Sequence, residues 1–332
     1  MATESWVVIG PQVIEVEAVR TVRVHVNGGR VDVVAHDDPT RTDARLEVHR
    51  VDGFPLEVVY ADGELRIKVR SVAGLDGILD RLRSGRQRDR IDVHLAVPRS
   101  VAVNLASVNA DLLLAGVQED ATVSTVNGGV VVDGTRGALS AKSVGSDVVV
   151  RDHTGDLTVG TVSGAAIASG ALSRVSVTTV SGEVTLDCLA ATSVCQVRTV
   201  SGDVAVRLPA GHGVGIEARS VSGRVVVDGV SRGERRPGRT TVDLRDPQAT
   251  CFVTSQTVSG HLTVLHGAPL SGTTGTWSAP DAAPGPAAPP APAAPDAPSA
   301  AAPAAAPPAP PTATPDAGGA APDAGGAAPD VA

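Results

Sequence analysis

Acidic residues recur at one position of a repeated sequence and could act as ligands for a divalent cation. They are Asp111, Asp147, Glu183 and Asp203, each three positions after a valine that follows Ser or Thr. Ca²⁺ prefers hard oxygen ligands of this kind. However, Ala165 and Arg224 interrupt the series, and the Gly-Gly-x-Gly-x-Asp repeat of calcium-binding β-rolls is absent. The pattern therefore favours a solvated face, and we expect neither a bound metal nor a cofactor.

Hydroxyl residues flank the same valine and form the second group of candidate functional residues. The predicted binding face consists of Thr161, Ser163, Thr179, Ser181, Thr199, Ser201, Ser220 and Ser222. A regular ladder of Thr, Val and Ser resembles the face of ice-binding solenoids, and it could also dock a sugar or a protein. The alternative interpretation is structural, because β-branched and hydroxyl residues favour stacked strands.

Residues suited to catalysis do not group in the sequence. The eight histidines are scattered without metal-ligand spacing, and there is no Ser/His/Asp grouping, P-loop or dinucleotide motif. The three cysteines are too few and too irregular for a disulfide framework or a zinc site. We expect Cys195 to fill the core as a small apolar residue. These observations predict that the protein is not an enzyme.

The repeated sequence is Ser/Thr-Val-Asn/Ser-Gly, and its central residues are here named the marker valines. They are Val108, Val126, Val144, Val162, Val180, Val200, Val221 and Val258. The spacing is 18 residues between the first five copies, and then 20, 21 and 37 residues. The last gap is about two periods long, so we expect it to contain one unmarked coil around Val242.

Apolar residues stand at fixed offsets from each marker valine. In the repeat of Val180 they lie five and three positions before it, at Val175 and Val177, and four and six positions after it, at Val184 and Leu186. Alternation with a period of two predicts strands, and the change of parity between the two pairs predicts a bend. Gly occupies this bend in six of the eight copies, where it can adopt backbone angles that other residues avoid.

Two short strands in each repeat can bury their apolar faces only by stacking on the next repeat. The sequence therefore predicts an all-β fold, namely a right-handed parallel β-solenoid with coils of about 18 residues, in which the marker valines point inward. A β-sandwich is the alternative. It would need hairpin turns between its strands, and the equivalents of Asn127-Gly128-Gly129 in other copies do not fit such turns.

The chain divides into three regions. Residues 1–98 are predicted to be an irregular N-terminal β region that caps the solenoid, with a short amphipathic helix near residues 75–84. Residues 99–267 carry the solenoid repeats. Residues 268–332 are rich in Pro, Ala and Gly and cannot bury enough apolar surface to fold, so we expect a disordered tail.

Charge and targeting signals restrict the partners and the location. Five of the 36 acidic residues lie beyond Gly275, where no Lys or Arg occurs, and the other 31 nearly balance the 28 basic residues. This balance does not fit a nucleic-acid-binding protein. No apolar run is long enough for membrane insertion, and the N-terminus lacks the features of a signal peptide. We expect a cytoplasmic protein, with attachment to the cell surface by a non-standard route as the alternative.

The repeats of Thr-Val-Ser-Gly-x-Val-x-Val, the degenerate N-terminal strand region and Pro98 at the start of the repeats resemble a bacterial family of β-strand-repeat proteins. This is the "putative adhesin" family, a domain of unknown function. The resemblance covers residues 10–266. It implies a non-enzymatic role as a scaffold or at a surface, and it supplies no catalytic residues.

Three functions of different classes remain open from the sequence. The first is a non-enzymatic scaffold or binding protein that presents the repeated Ser/Thr face to a protein or glycan partner. The second is a structural protein that associates with itself through the solenoid ends to form filaments. The third is a polysaccharide-active enzyme, which is least favoured because short coils leave little room for a catalytic cleft.

Overall fold

The computed structural model describes residues 3–69, 90–236 and 239–267, which form β-strands joined by turns and loops. These ranges contain no α-helix, so the predicted all-β class is confirmed for them. Consequently, no helix in the described part of the chain is long and apolar enough to cross a bilayer. The helix predicted near residues 75–84 and the disordered tail predicted for residues 268–332 lie outside the described residues.

The repeats form parallel ladders in which equivalent residues of successive repeats pair with one another. With strands numbered in chain order, those of the repeats are β8 (Ala102–Ala115), β9 (Ala121–Ser124), β10 (Val130–Asp133), β11 (Arg136–Ser143), β12 (Val148–Ser163), β13 (Ala166–Ser181), β14 (Val184–Cys188), β15 (Ser193–Ser201) and β16 (Val204–Pro209). Val130 pairs with Leu112 on one side and with Val148 on the other, each 18 positions away. Equivalent side chains therefore stand in columns with steps of about 4.8 Å.

Each repeat contributes one strand to each of two columns of paired strands. The first column contains β9, β11 and β15, which precede a marker valine or end beside it, and the second contains β10, β14 and β16, which follow one. The longer strand β8 passes from the first column to the second beside its marker Val108, whereas β12 and β13 pass from the second column back to the first. The bend from the first column to the second therefore lies close to the marker valine, as the change of parity predicts, and a second bend returns the chain to the first column.

The N-terminal strands continue both columns and then end them with antiparallel pairing. They are β1 (Glu4–Val8), β2 (Gln12–Val16), β3 (Thr21–Ala35), β4 (Ala44–Asp52), β5 (Leu56–Ala61), β6 (Glu64–Val69) and β7 (Arg90–Val97). The two halves of β3 pair in parallel with β8, with β6 and β7 on the other side. Antiparallel β5 and β1 extend the first column, and antiparallel β4 and β2 extend the second.

The C-terminal repeats are stacked in an order that differs from their order in the chain. Their strands are β17 (Gly213–Ser222), β18 (Val225–Val227), β19 (Val230–Arg232), β20 (Glu234–Arg236), β21 (Arg239–Leu244), β22 (Ala249–Ser259) and β23 (Leu262–Gly267). β22 pairs in parallel with β15 on one side and with β17 on the other, and β23 lies in the same way between β16 and β18. The repeat of Val258 therefore lies between those of Val200 and Val221.

The unmarked coil predicted around Val242 is wrong. Val242 belongs to β21, which runs antiparallel to β17 and pairs Val242 with Ala218. The apolar residues of β21 alternate as they would in a parallel strand, because alternation reports burial of one face and not strand direction. A gap of about two periods fixes the length of chain available, and it does not fix the route that the chain takes.

Aliphatic side chains fill the interior at the offsets that the sequence predicts. In the repeat of Val180, the side chains of Val175, Val177, Val184 and Leu186 are all at most 1% exposed. Burying one side chain of this size contributes about 1.5–3 kcal/mol to the free energy of unfolding. Because each repeat adds such a set to a continuous core, the repeats stabilise one another and need few aromatic residues.

The marker valines point outward, so the prediction that they point inward is wrong. Their exposed fractions range from 38% at Val108 to 54% at Val221. Residues five and three positions before a marker valine face the interior, and alternation therefore places the residue directly before the marker inside as well. The interior position at this corner is occupied by Ser or Thr, and the valine faces solvent.

Glycine at the corner allows the backbones of neighbouring repeats to approach closely. A Cβ atom on Gly182 would lie 2.1 Å from the carbonyl oxygen of Gly164, and one on Gly202 would lie 2.1 Å from the carbonyl oxygen of Gly182. Gly202 also has a φ of 140°, which L-residues with side chains rarely adopt. Any side chain at these corners would force the repeats apart.

Candidate functional site

The exposed corner of the repeats carries a continuous row of valine and serine pairs, here named the serine–valine ladder. In stacking order its members are Val162–Ser163, Val180–Ser181, Val200–Ser201, Val258–Ser259 and Val221–Ser222. All ten side chains are exposed. Successive pairs are separated by about one strand spacing, 4.8 Å. The ladder therefore presents methyl and hydroxyl groups at a regular interval.

Two serine hydroxyls of the ladder are held by the backbone of the neighbouring repeat. Ser163 Oγ donates a hydrogen bond to the carbonyl oxygen of Val144 (3.3 Å), and Ser201 Oγ donates one to the carbonyl oxygen of Val180 (3.4 Å). A hydroxyl that donates in this way still has oxygen lone pairs that can accept a hydrogen bond. The ladder can therefore accept hydrogen bonds from a partner at fixed positions.

Half of the predicted binding face lies in the interior, which corrects the sequence-based prediction. Ser163, Ser181, Ser201 and Ser222 are exposed, as a binding face requires. The other four residues are buried and cannot contact a partner: Thr161, Thr179, Thr199 and Ser220. The two hydroxyls that flank a marker valine are separated by one residue, but the corner falls between them and turns the second one outward.

The buried hydroxyls close the corner of the earlier repeats. Thr125 Oγ1 accepts a hydrogen bond from the amide of Gly128 (3.1 Å) and one from the hydroxyl of Ser107 (2.9 Å). Later in the stack, the hydroxyls of Thr161 and Thr179 have no hydrogen-bond partner among the described residues. The role of this column is therefore structural, and its hydrogen bonding weakens along the stack.

Three of the four recurring acidic residues join neighbouring repeats through backbone amides. A carboxylate oxygen of Asp111 accepts a hydrogen bond from the amide of Gly129 (2.9 Å), and Asp147 does the same for the amide of Ala165 (2.7 Å). Asp203 accepts a hydrogen bond from the amide of His261 (2.8 Å). Within residues 3–69, 90–236 and 239–267, no three His, Cys, Asp or Glu side chains are grouped so that they could hold a metal.

Arginine and acidic residues two positions apart form ion pairs on the outer faces of the strands. Examples are Arg30 with Asp32 (2.9 Å) and Arg245 with Asp243 (3.0 Å). Side chains at i and i+2 point to the same side of a strand, so these pairs form within a single strand. Exposed pairs of this kind add little stability. They do reduce the net charge of the outer faces.

His153 is a titratable residue that lies fully buried in the core. The His153 imidazole contacts the Thr135 hydroxyl through Nδ1 (2.9 Å) and the carbonyl oxygen of Asp156 through Nε2 (3.2 Å). Burial lowers the pKa of His153, because the interior disfavours the charged imidazolium, although both hydrogen bonds oppose this effect. His153 is therefore neutral in the core at pH 7.

The cysteines lie close together inside the fold. Cys195 is fully buried, which confirms its predicted place in the core, and its Sγ lies 3.3 Å from that of Cys188. The hydrogen bond with Cys195 and burial both raise the pKa of the Cys188 thiol. Burial likewise raises the pKa of Cys251. Thiols of raised pKa are weak nucleophiles, which applies to Cys188 and Cys251, and all three buried cysteines pack the core.

Several solved structures resemble the fold of this chain. A putative cell adhesion protein from Clostridium sporogenes is 13% identical, with a TM-score of 0.27, and the match covers 77% of this chain and 100% of the other. A putative adhesin from Bacteroides fragilis is 10% identical, with a TM-score of 0.39 over 76% and 96% of the two chains. A putative lipid binding protein from Parabacteroides distasonis is 11% identical, with a TM-score of 0.43 over 77% and 96%.

No protein-family model matches the sequence, and no curated protein matches it. The solved structures similar to this chain include several described as putative adhesins or cell adhesion proteins, in agreement with the resemblance of the sequence to the "putative adhesin" family.

Proposed function

We propose that this protein is a non-enzymatic scaffold that binds a protein or glycan partner along the serine–valine ladder. The observation that carries the proposal is the exposure of five valine and serine pairs that follow one another in the stack as a continuous row. Exposed apolar side chains that form a continuous patch are a mark of interaction surfaces. Repetition of one weak contact gives avidity that a single contact cannot give.

The scaffold itself is interpreted as a right-handed parallel β-solenoid. Parallel pairing at a step of 18 residues, as between Leu112, Val130 and Val148, supports this interpretation. In the same scheme, the N-terminal strands β1–β7 cap one end of the repeats. A stack of hydrogen-bonded strands is rigid, so the spacing of the ladder is kept when a partner binds.

Paired substitutions on opposite sides of the same repeats test the ladder. The double variant Ser181→Lys, Ser259→Lys places two long side chains across it. Thr185→Lys with Thr263→Lys is the matched control, because these residues belong to the same repeats but lie on strands of the second column. We expect binding to immobilised glycans, or to a purified partner, to fall at least about tenfold in the first variant only.

Two outcomes would refute the ladder as the binding surface. One is an equal affinity of the two double variants for the same partner. The other is a partner whose binding is lost when residues 268–332 are removed and is unaffected by Ser181→Lys with Ser259→Lys.

A depolymerisation assay on polysaccharides tests the non-enzymatic part of the proposal, since turnover would contradict it. The cytoplasmic location predicted from the sequence stays a prediction, which cell fractionation would test.

Self-association is the second candidate function, and the N-terminal strands favour it. β1 pairs only with β5, and β2 only with β4, among the described residues. The exposed fractions of the apolar residues Val7, Ile9 and Val13 in this region are 50%, 77% and 52%. An open strand edge with apolar side chains is a template for pairing with another chain. Light scattering that rises with protein concentration would support filament formation, and a monomer at all concentrations would exclude it.

A further inference from the structure

The reversed order of the C-terminal repeats builds a surface pocket. Its volume is about 350 Å³. The pocket is lined chiefly by Gly215, Glu217, Asp243, Arg245, Asp246 and Phe252. These residues come from β17, β21, β22 and the loop that joins β21 to β22. The pocket exists because β22 inserts beside β17 while β21 runs antiparallel along the other side of β17.

The floor of the pocket is a glycine, and one wall is an aromatic ring. Gly215 pairs with Phe252 on the outer side of the first column, and a Cβ atom on Gly215 would lie 2.9 Å from Cδ1 of the Phe252 ring. The ring therefore lies partly over the space that a side chain at position 215 would fill. Phe252 is one of only two phenylalanines in the chain, and it is 48% exposed. An exposed aromatic ring is costly in water and is typical of binding sites.

The opposite wall and the ends of the pocket are polar. Arg245 forms an ion pair with both carboxylate oxygens of Asp243, at 3.0 Å each. Glu217 pairs with Asp243 across the strands and forms an ion pair with Arg219 (2.8 Å). A carboxylate fixed by an arginine accepts hydrogen bonds, and the remaining guanidinium N–H groups donate them. The polar wall thus offers donors and acceptors in fixed positions opposite the ring.

We propose that this pocket binds a sugar ring of a neutral glycan. A pyranose has one face of C–H groups, which packs on an aromatic ring, and an edge of hydroxyls, which both donate and accept hydrogen bonds. Phe252 matches the face, and the Asp243–Arg245 pair matches the edge. The volume lies at the lower end of the range of about 300–1,000 Å³ for small-molecule sites, which suits a short stretch of glycan.

The charges of the pocket favour a neutral ligand. Three carboxylates, those of Glu217, Asp243 and Asp246, line it, and two arginines neutralise the first two. The remaining negative charge of Asp246 opposes a uronic acid or a sulfated sugar. The ion pairs already occupy the carboxylates that a cationic ligand would need. The site does not involve the serine–valine ladder, so either proposal can fail without the other.

Calorimetric titration of the full-length protein tests the proposal. The probes are the neutral hexasaccharides of maltose, cellulose, chitin, mannan and xylan type, with hexagalacturonate and hexalysine as charged comparisons. We expect at least one neutral hexasaccharide to bind with a Kd of about 1 mM or tighter. Phe252→Ala should weaken that binding at least about tenfold. Val194→Ala is the matched control, because Val194 is the exposed neighbour of Phe252 on β15 and does not line the pocket.

Two further variants keep the test decisive if Phe252→Ala fails to fold. Arg245→Ala removes the donors of the polar wall at a fully exposed side chain, and Gly215→Val fills the floor and displaces the ring. Both should weaken binding at least about tenfold, and Thr185→Lys with Thr263→Lys, which lie outside both the pocket and the serine–valine ladder, should leave it unchanged. The proposal is overturned if no neutral hexasaccharide binds, if the pocket variants bind as the native protein does, or if hexagalacturonate or hexalysine binds more tightly.

Discussion

A carboxylate placed at Val184 should unfold this protein, and the same carboxylate at Val180 should be tolerated. Val184 is 0% exposed and stacks between Ala166 and Val204, whereas Val180 is 47% exposed. Val184→Asp loses the burial of an aliphatic side chain, about 1.5–3 kcal/mol. It also buries an unpaired charge, which costs several kcal/mol more. The sum is a large part of the 5–15 kcal/mol that separates folded from unfolded proteins.

Urea unfolding measured by far-UV circular dichroism gives the assay. With a slope of about 3 kcal/mol per molar urea, a loss of about 5 kcal/mol lowers the midpoint by roughly 1.5 M. We expect Val184→Asp to show at least this shift, or to be unfolded without urea. An exposed substitution usually changes stability by about 0.5 kcal/mol or less, so Val180→Asp should lower the midpoint by about 0.2 M at most. Equal midpoints, or a larger loss for Val180→Asp, would refute the inward and outward assignment of these strands.

Other perturbations test the corners and the buried polar groups. Thr125→Val should lower the free energy of unfolding by about 1–3 kcal/mol, because it removes two hydrogen bonds. Thr179→Val removes a buried hydroxyl that has no hydrogen-bond partner among the described residues, so it should raise the free energy of unfolding. Thermal melts check both, since the two variants should shift the melting temperature in opposite directions. Burial lowers the pKa of His153 in the folded protein. Below the unfolded-state histidine pKa of about 6.5, the unfolded chain therefore binds more protons than the folded protein, and the free energy of unfolding should fall as the pH decreases. His153→Gln should flatten this part of the pH profile, and an unchanged slope would contradict a buried neutral imidazole. Gly182→Ala should disrupt folding through its contact with the preceding backbone, and Gly10→Ala, which meets nothing within 4 Å, should not.

The sequence predicts the interior of the repeats well because that information is local. Apolar residues at fixed offsets, such as Val184 and Leu186, need only alternate and recur to identify the buried face of a strand. The corner glycine is equally local, since it recurs at a fixed offset from the marker valine in six of the eight copies. The orientation of the marker valines is also encoded. It requires that alternation from Val175 and Val177 be continued past Thr179 to Val180.

The order of the C-terminal repeats could not be read from the sequence. The strands around Val221 and Val258 have the same motif, so each fits equally well beside the strand around Val200. Which of the two repeats pairs with the repeat of Val200 depends on the segment between β18 and β22, which contains β21. The direction of β21 cannot be read from its pattern of apolar residues. For the same reason the pocket beside Phe252 could not be predicted, because its walls come from strands whose neighbours were unknown. Of the predicted binding face, Ser163, Ser181, Ser201 and Ser222 are exposed as predicted, whereas Thr161, Thr179, Thr199 and Ser220 are buried.

The position of β22 between β15 and β17 restricts the order in which the chain can fold during its synthesis. Repeat proteins grow by adding each repeat to a neighbour that is already folded, and synthesis proceeds from the N-terminus. Residues 213–227 leave the ribosome before residues 249–267, yet their parallel partners are β22 and β23. If β17 docked on β15 as soon as it emerged, the place of β22 would be occupied. We therefore expect every repeat up to β16 to fold as it is made, and the last two to wait and dock together once the chain has reached Gly267.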